Sequence, residues 1–430
     1  MPFPPGPRSL IPLANLRAMQ RDAMTFLSRA HRDYGDVIHF RYGPQHVYSF
    51  RHPDAVRDIL VVQDRSFHKG RVLQRAKVIL GEGLLTSEGE LHKRQRRLAQ
   101  PAFHRERIDR YAQVMIDRAT RMSDSWRDGQ EVDIHQEMMR LTLSIVAKTL
   151  FDADVDREAA EIGGALTELM QMFPLLLTPF VEILQRLPLP QTFRFRRALK
   201  RLDQTIYAII NERRASGEDR GDLLSMLLLA QDVEGDGGSM TDQQLRDETM
   251  TLFLAGHETT ANALAWTWYL LAQQCDPERP QRVEGSPSIT PEMIFAESMR
   301  IYPPAWGIGR LAIEDVKIGE TIIPRGSIAV VAQAVTHHDA RWWPDPERFD
   351  PLRFTAEAKA SRPKFAYFPF GAGPRVCMGE SFAWMEGVLL LSTIAKKWRM
   401  ELLSTNVQPQ PLITLRPRNG IRVRLHLRHA

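Results

Sequence analysis

The stretch Phe370 to Gly379, FGAGPRVCMG, decides how this sequence folds and what chemistry it can support. Four residues shape it by allowing tight turns, close backbone approach or stiffness: Gly371, Gly373, Pro374 and Gly379. Helical residues follow at once, from Glu380 towards Lys397, so Cys377 is predicted at a helix N-terminus. Free N–H groups and the helix dipole favour a thiolate there. A lone cysteine is more often a small buried apolar residue. Whether Cys377 is a metal ligand or a core side chain therefore depends on motifs elsewhere in the chain.

Composition sets the limits of the answer. The chain has 430 residues, 43% of them hydrophobic and 25% charged, which excludes a disordered chain and allows a large core. A net charge of +5 permits an acidic partner, an anionic ligand or a nucleic acid, and no nucleic-acid motif supports the last. Two cysteines, Cys275 and Cys377, exclude a disulfide scaffold. The most apolar stretch, 172–190, is broken by prolines, so we expect no transmembrane segment and a cytoplasmic location.

A long helix follows the glycine-rich connection at 232–238. Thr241 is a good N-cap and Gln244 completes a capping box, and helical character continues to about Gln274. Midway lies Ala255 to Thr260, AGHETT. Gly256 weakens the helix there, and the Thr259 hydroxyl can bond to the carbonyl of Ala255. The pair His257-Glu258 could begin a zinc-protease H-E-x-x-H motif, but Ala261 stands at the fifth position and excludes it.

Strand patterns are few and short. Val37 to Tyr42 and Gln45 to Phe50 flank Gly43-Pro44 as a hairpin, and further strands are expected within 315–331. At the C-terminus, 412–415 and 421–427 bracket Asn419-Gly420, which predicts a second hairpin. The predicted fold class is mainly α with small β-sheets, in a single domain of residues 1–430. Its β-rich part covers about 36–70, and the remainder is helical up to the small C-terminal hairpin.

The chain resembles the cytochrome P-450 family of haem-thiolate monooxygenases, whose signature F-G-x-G-x-R-x-C-x-G is met at every specified position of 370–379. The resemblance implies that haem b lies between the long central helix and the helix after the cysteine loop. It makes Cys377 the axial metal ligand, with Phe370 packed near its sulfur and Gly379 in the cofactor-binding loop. Arg375 is then expected to pair with a haem propionate.

Further motifs agree with the resemblance. The family's acid–alcohol pair falls on Glu258 and Thr259, which makes them the predicted catalytic residues for proton delivery. His92 and Arg96, four apart on one helical face, match the family's pair for the haem propionates. Arg310 is the third cation expected to bind a propionate.

A structural ion-pair network is also implied. Glu297 and Arg300 form E-x-x-R, and the family joins this pair to an arginine from a later P-E-R-F element. That element is Pro346 to Phe349 here, so Arg348 is the predicted third member. Between 274 and 297 the chain is shorter than the family usually is, so either this segment is truncated or residues are missing from it.

The resemblance predicts insertion of one oxygen atom of O2 into a lipophilic small molecule, by hydroxylation of a fatty acid, terpenoid or steroid. Electrons would come from NAD(P)H through ferredoxin or flavodoxin and its reductase. A basic run could dock such an acidic carrier or simply be solvated: Lys93, Arg94, Arg96, Arg97, Arg105 and Arg107. The expected pocket-lining segments are 81–85, Ala255, 305–308 and 412–414, and Ala255 is also expected to contact the haem as a cofactor-binding residue.

Two alternatives stay open on the residues. A thiolate-haem isomerase or peroxygenase of the same fold often lacks the acid–alcohol pair, which is intact here. A haem gas sensor would not need Glu258 and Thr259, and it would be expected to carry an output domain.

Overall fold

A computed structural model describes residues 3–8, 13–152, 169, 190–231, 238–274 and 289–428. The helices are α1 (Ala14–Tyr34), α2 (Pro53–Arg57), α3 (Arg71–Arg75), α4 (Lys77–Leu80), α5 (Gly89–Ala99), α6 (Arg105–Asp124), α7 (Ile134–Phe151), α8 (Pro190–Ser216), α9 (Leu223–Leu229), α10 (Asp242–Gln273), α11 (Pro291–Ile301), α12 (Gln333–Thr336), α13 (Ala356–Ala360) and α14 (Glu380–Lys397). The strands are β1 (Val37–Tyr42), β2 (Gln45–Phe50), β3 (Phe67–Lys69), β4 (Glu131–Asp133), β5 (Ile308–Ala312), β6 (Val316–Ile318), β7 (Thr321–Ile323), β8 (Ile328–Val331), β9 (Trp398–Leu402), β10 (Pro409–Pro411), β11 (Leu415–Pro417) and β12 (Arg422–Leu427).

The chain divides into two compact units. The first comprises Met1–Arg71, Asn262–Cys377 and Met400–Arg422, and the second comprises Val72–Ala261, Met378–Arg399 and Val423–Ala430. One boundary therefore falls inside α10 and another directly after Cys377. The single domain expected from the sequence stays a prediction.

The first unit is built on a five-stranded sheet in the order β1-β2-β8-β5-β3. The predicted hairpin is confirmed: β1 and β2 are antiparallel, with Val37 opposite Phe50, and Gly43 takes a positive φ of 60° in the turn. One face of the sheet packs α1 through Leu27, Phe40 and neighbouring apolar residues. A second cluster, which includes Phe50 and Phe67, supports the start of the cysteine loop through Phe368.

The second unit is mainly helical. It contains α3 to α9, the first part of α10, and α14, and aromatic pairs such as Tyr111 with Phe382 join α6 to α14. The long helix begins as predicted, because Thr241 and Gln244 exchange both bonds of a capping box at 2.9 and 3.2 Å. Helix α14 also has the predicted bounds.

The predicted C-terminal hairpin is wrong. Strand β11 pairs with β10, while β12 joins β4 and β9 in a separate three-stranded sheet. The alternate residues Val423 and Leu425 are fully buried, so burial of this apolar face determines the partner of β12. The Asn419-Gly420 turn links two sheets, and pairing within one hairpin does not occur.

Some expectations lie outside the described residues: the proline-broken loop at 172–190, the connection at 232–237, and Cys275 with the shortened segment that follows it. Within the described ranges, no helix is long and apolar enough to cross a membrane.

Candidate active site

The cysteine loop is a tight, internally bonded turn. Cys377 donates its backbone N–H to the carbonyl of Phe370 at 2.9 Å, and Val376 donates to Gly373 at 3.0 Å. Gly373 has φ +71°, and a Cβ on it would lie 2.1 Å from the Leu60 carbonyl oxygen. Only glycine allows this approach. The Cys377 side chain is exposed, so it is not a buried apolar residue of the core.

Arg375 is held firmly beside this loop. Its guanidinium donates to Asp64 Oδ1 at 2.5 Å and to the Phe67 carbonyl at 2.8 Å. These bonds fix the cation next to the cysteine, as a ligand for a nearby carboxylate requires. Pairing of Arg375 with a haem propionate stays a prediction.

Two further cations lie side by side on the sheet. Strands β3 and β5 are antiparallel with Lys69 opposite Arg310, and directly opposed residues point to the same face. Both side chains are buried, with 4% and 5% exposure. Two cations on one face of the sheet suit a ligand that carries carboxylates. Sequence reasoning found Arg310 and missed Lys69, because only the strand register places it there.

The network around Glu297 and Arg300 is confirmed, but its third member is not Arg348. Both side chains have 0% exposure, and the pair is bidentate at 2.7 and 2.8 Å. Arg353 supplies the other guanidinium, 3.5 Å from Glu297 Oε1, while Arg348 contributes only its backbone carbonyl to Arg300. The Asp350 N–H also donates to Glu297, so the chain turns after Arg348 and brings Arg353 inward.

His337 connects this network to the cysteine loop. Its carbonyl accepts from Arg300 at 3.0 Å, and its Nε2 accepts the backbone N–H of Phe368 at 3.0 Å. Burial, with the positive charge of Arg300 nearby, holds the pKa of His337 well below its usual value. The ring is therefore neutral and can act as an acceptor. It positions the residues that lead into the loop.

The predicted acid–alcohol pair lies on a distinctive part of α10. From Leu245 to Ala272 every residue is buried except Ala255, Gly256 and Thr259. These three share one face of the helix, since Gly256 and Ala255 lie three and four residues before Thr259. The Thr259 hydroxyl donates to the Ala255 carbonyl at 2.7 Å, as expected from the sequence. Glu258 is buried.

A buried acid near this pair was missed by sequence reasoning. Glu386 on α14 is fully buried, and the hydroxyl of Thr260 is next to its carboxyl group. Burial raises the pKa of Glu386 to about 8, although the Thr260 hydroxyl opposes the rise. No sequence motif marks it, because a glutamate seven residues into a helix is ordinarily solvated.

Helix α5 carries His92 and Arg96 on one face, as predicted. His92 is buried and Arg96 is half-buried. Part of the basic run is already engaged locally: Lys93 pairs with Glu90 at 2.6 Å, and Arg94 donates to the carbonyl of Gly238. Exposed pairs of this kind contribute little to stability.

Two predicted pocket segments are brought together in the first unit. The indole N–H of Trp306 donates to the Leu412 carbonyl at 2.9 Å, and Leu415 donates to the carbonyl of Pro304. The Thr414 hydroxyl accepts from Asn262 at 3.2 Å. The Trp306 indole N–H and the Thr414 hydroxyl are therefore already hydrogen-bonded within the protein, which favours an apolar lining.

The donor set fits a haem. Among its described residues, the first unit offers the exposed thiol of Cys377 and three cations suited to carboxylates: Lys69, Arg310 and Arg375. The second unit offers His92, Arg96, the Thr259 hydroxyl on the accessible face of α10, and the buried carboxyl group of Glu258. A soft thiolate is a recognised axial ligand of haem iron, and the cations match its propionates.

Comparison with known proteins agrees with this chemistry. The cytochrome P450 family profile matches residues 4–284 and 291–424. Cyclooctatin synthase of Streptomyces melanosporofaciens is 38% identical over 424 residues, covering 94% of this chain and 92% of that protein. Cyclooctat-9-en-7-ol 5-monooxygenase of the same organism is 34% identical, covering 92% and 89%. A cyanobacterial cytochrome P450 with bound retinoic acid superposes with a TM-score of 0.86 at 25% identity, covering both chains fully. The chain therefore belongs to the cytochrome P450 family: it is a haem b monooxygenase of lipophilic small molecules that uses O2 and electrons from NAD(P)H delivered through redox partners.

Proposed function

We propose that Cys377 is the axial thiolate of the haem and that the enzyme hydroxylates a cyclic terpenoid. The observation that supports this ligand is the exposed thiol of Cys377. The backbone N–H of the same residue bonds to the Phe370 carbonyl, in a loop whose close approach to Leu60 requires glycine at position 373. The haem, when bound, supplies the activation of dioxygen. Arg310, Arg375, His92 and Arg96 are the proposed propionate ligands.

Glu258 and Thr259 are the proposed proton-delivery residues. Because the Thr259 hydroxyl donates its hydrogen to the Ala255 carbonyl, its oxygen can act as a hydrogen-bond acceptor for another group. Thr259 can thus accept a hydrogen bond from a water and hold it in place, while Glu258 is the proposed source of the proton. The accessible face formed by Ala255, Gly256 and Thr259 provides room beside an otherwise buried helix.

A terpenoid is favoured by two observations. The lining segments 305–308 and 412–414 bond to each other through the Trp306 indole N–H and the Leu412 carbonyl, and most of their side chains are apolar, which favours an apolar surface for the substrate. A relative that covers nearly the whole chain acts, by its name, on cyclooctat-9-en-7-ol, a carbocyclic alcohol. Fatty acids and steroids are the other candidates within the lipophilic class.

A ferredoxin or flavodoxin with its reductase is the proposed electron source. The exposed basic side chains of α5, with Lys93 and Arg97, are a suitable surface for such an acidic protein. The cytoplasmic location stays a prediction.

The ligand assignment is tested by the carbon monoxide complex of the reduced enzyme. The wild type should show the strongly red-shifted Soret band of thiolate ligation, and Cys377→His should lose it while other spectra still report haem. A histidine-type band in the wild type would refute the assignment. Substrate class is tested by titrating a cyclic terpene alcohol, palmitic acid and progesterone, since the substrate should displace iron-bound water and shift the spin state.

A further inference from the structure

The loop from Gly81 to Ser87, between α4 and α5, is fastened to α10 by two buried carboxylates. Asp247 Oδ2 accepts the backbone N–H of Glu82 at 2.8 Å, and Glu248 Oε2 accepts that of Leu84 at 3.1 Å. The two acids have 3% and 0% exposure. A buried carboxylate must be hydrogen-bonded, so the loop and the helix depend on one another here.

The Asp247 carboxylate is itself held in place. Its Oδ1 accepts from Gln243 at 2.8 Å and from Arg246 at 3.0 Å. Arg246 also donates to Asp203 on α8, at 2.5 and 2.8 Å. A continuous series of charged hydrogen bonds therefore runs from α8 over α10 to the loop.

The approach of the loop to α10 needs two glycines. A Cβ on Gly81, whose φ is +58°, would lie 2.2 Å from the Asp247 carboxylate. A Cβ on Gly83 would lie 2.2 Å from Thr251 Oγ1 and 2.5 Å from the Asp247 carbonyl oxygen. The Gln95 side chain closes the other side of the loop by donating to the Glu82 carbonyl at 2.6 Å. The loop can adopt this position only with these residues, and it is bonded on both sides.

The geometry of α10 relates this anchor to the proposed active site. Glu248, Ala255 and Thr259 are seven and eleven residues apart, which places them on one face of an α-helix. At 1.5 Å per residue, Glu248 lies about 10 Å along the axis from Ala255. The loop fastened at Glu248 therefore lies along the same helix face as Ala255 and Thr259.

We propose that Asp247 and Glu248 are positioning residues for substrate selection: they hold the 81–87 loop in one conformation as a preformed wall of the substrate pocket. The inference rests on the proposed function and on the expectation from the family resemblance that 81–85 line the substrate pocket. Neither acid touches the substrate. Each acts through a backbone N–H of the loop.

The test uses two azoles that bind haem iron and differ in size. Imidazole reports the iron alone, while the bulky clotrimazole must also fit the walls. In Asp247→Asn and Glu248→Gln the dissociation constant of clotrimazole should rise about tenfold, the equivalent of one lost charged hydrogen bond, and that of imidazole should change less than twofold. Asp242→Asn is the matched control, because Asp242 lies on the exposed first turn of the same helix. This variant should change neither the clotrimazole nor the imidazole dissociation constant.

Two results would overturn the proposal. One is a lower melting temperature in both variants with unchanged clotrimazole affinity, which is what purely structural carboxylates would give. The other is fast hydrogen exchange at the backbone amides of Glu82 and Leu84 in the wild-type holoenzyme, which would show that the loop is not held. The proposal expects these two amides to be as protected from exchange as the amides of α10. Failure of either azole to shift the wild-type spectrum would instead count against the proposed haem function.

Discussion

Replacing Glu386 by glutamine should make the enzyme more stable, and increasingly so as the pH rises. Glu386 is fully buried on α14, and burial raises its pKa to about 8 despite the neighbouring Thr260 hydroxyl. Between the ordinary value of 4.5 and about 8, the folded protein holds a proton on this group that the unfolded chain has lost. Stability therefore falls with rising pH across that window and levels off above it. Glutamine is neutral and nearly the same shape, so the variant lacks this dependence.

The size of the effect follows from the two pKa values. Each pH unit between them corresponds to about 1.4 kcal/mol, so the wild type loses at most about 5 kcal/mol between pH 4.5 and 8. At pH 7 the loss is about 3 kcal/mol. For 430 residues the entropy of unfolding near 60 °C is about 0.9 kcal/mol per degree. Glu386→Gln should therefore melt about 3 °C above the wild type at pH 7, about 5 °C above it at pH 8, and within 1 °C of it at pH 5.

Haem-loaded wild type and variant should be melted from pH 5 to 9 at one fixed scan rate, because large proteins often unfold irreversibly. Glu320→Gln is the matched control, since Glu320 is almost fully exposed. Its melting curve should follow the wild type at every pH. Parallel curves for Glu386→Gln and the wild type would show that Glu386 does not hold its proton in the folded protein, and the reasoning from burial would fail.

Two further predictions concern proton delivery and the buried network. Thr259→Ala should retain haem but release more hydrogen peroxide for each NAD(P)H consumed, because the hydroxyl oxygen held in place by its bond to the Ala255 carbonyl is lost. Thr259→Ser should restore most of the coupling of NAD(P)H consumption to product formation, and unchanged coupling in the alanine variant would contradict the role of Thr259. Arg353→Ala should lower the free energy of unfolding by several kcal/mol and reduce haem loading, because Glu297 loses a buried partner, whereas Arg348→Ala should be near normal in both. A lower haem-to-protein ratio in purified Arg348→Ala than in Arg353→Ala would contradict the placement of Arg353.

Elements defined by local chemistry could be predicted. The capping box at Thr241, the β1–β2 hairpin with Gly43 at its turn, and the Thr259-to-Ala255 bond depend on residues a few positions apart, and all three are confirmed. The choice of Arg348 over Arg353 failed for a related reason. Both arginines precede a phenylalanine in similar sequence, and only the turn at Asp350 decides which side chain reaches Glu297.

Long-range contacts could not be predicted. Lys69 becomes a buried neighbour of Arg310 only through the register of β3 with β5, which are more than two hundred residues apart in the chain. The partner of β12 depends on which surface buries Val423 and Leu425. Asp247 and Glu248 look like solvated charges at the start of an amphipathic helix until the 81–87 loop is seen to cover them.

The sequence by itself determined the family and its chemistry, because the cysteine loop needs a thiol, glycines and an arginine at set spacings, and those spacings are local. Tertiary structure alone decided which charges are buried and what they bond. A side chain's burial, and with it the pKa of Glu386 or the anchoring role of Asp247, depends on the parts of the chain that cover it. Those parts lie far away in the sequence, and no spacing within a motif records them.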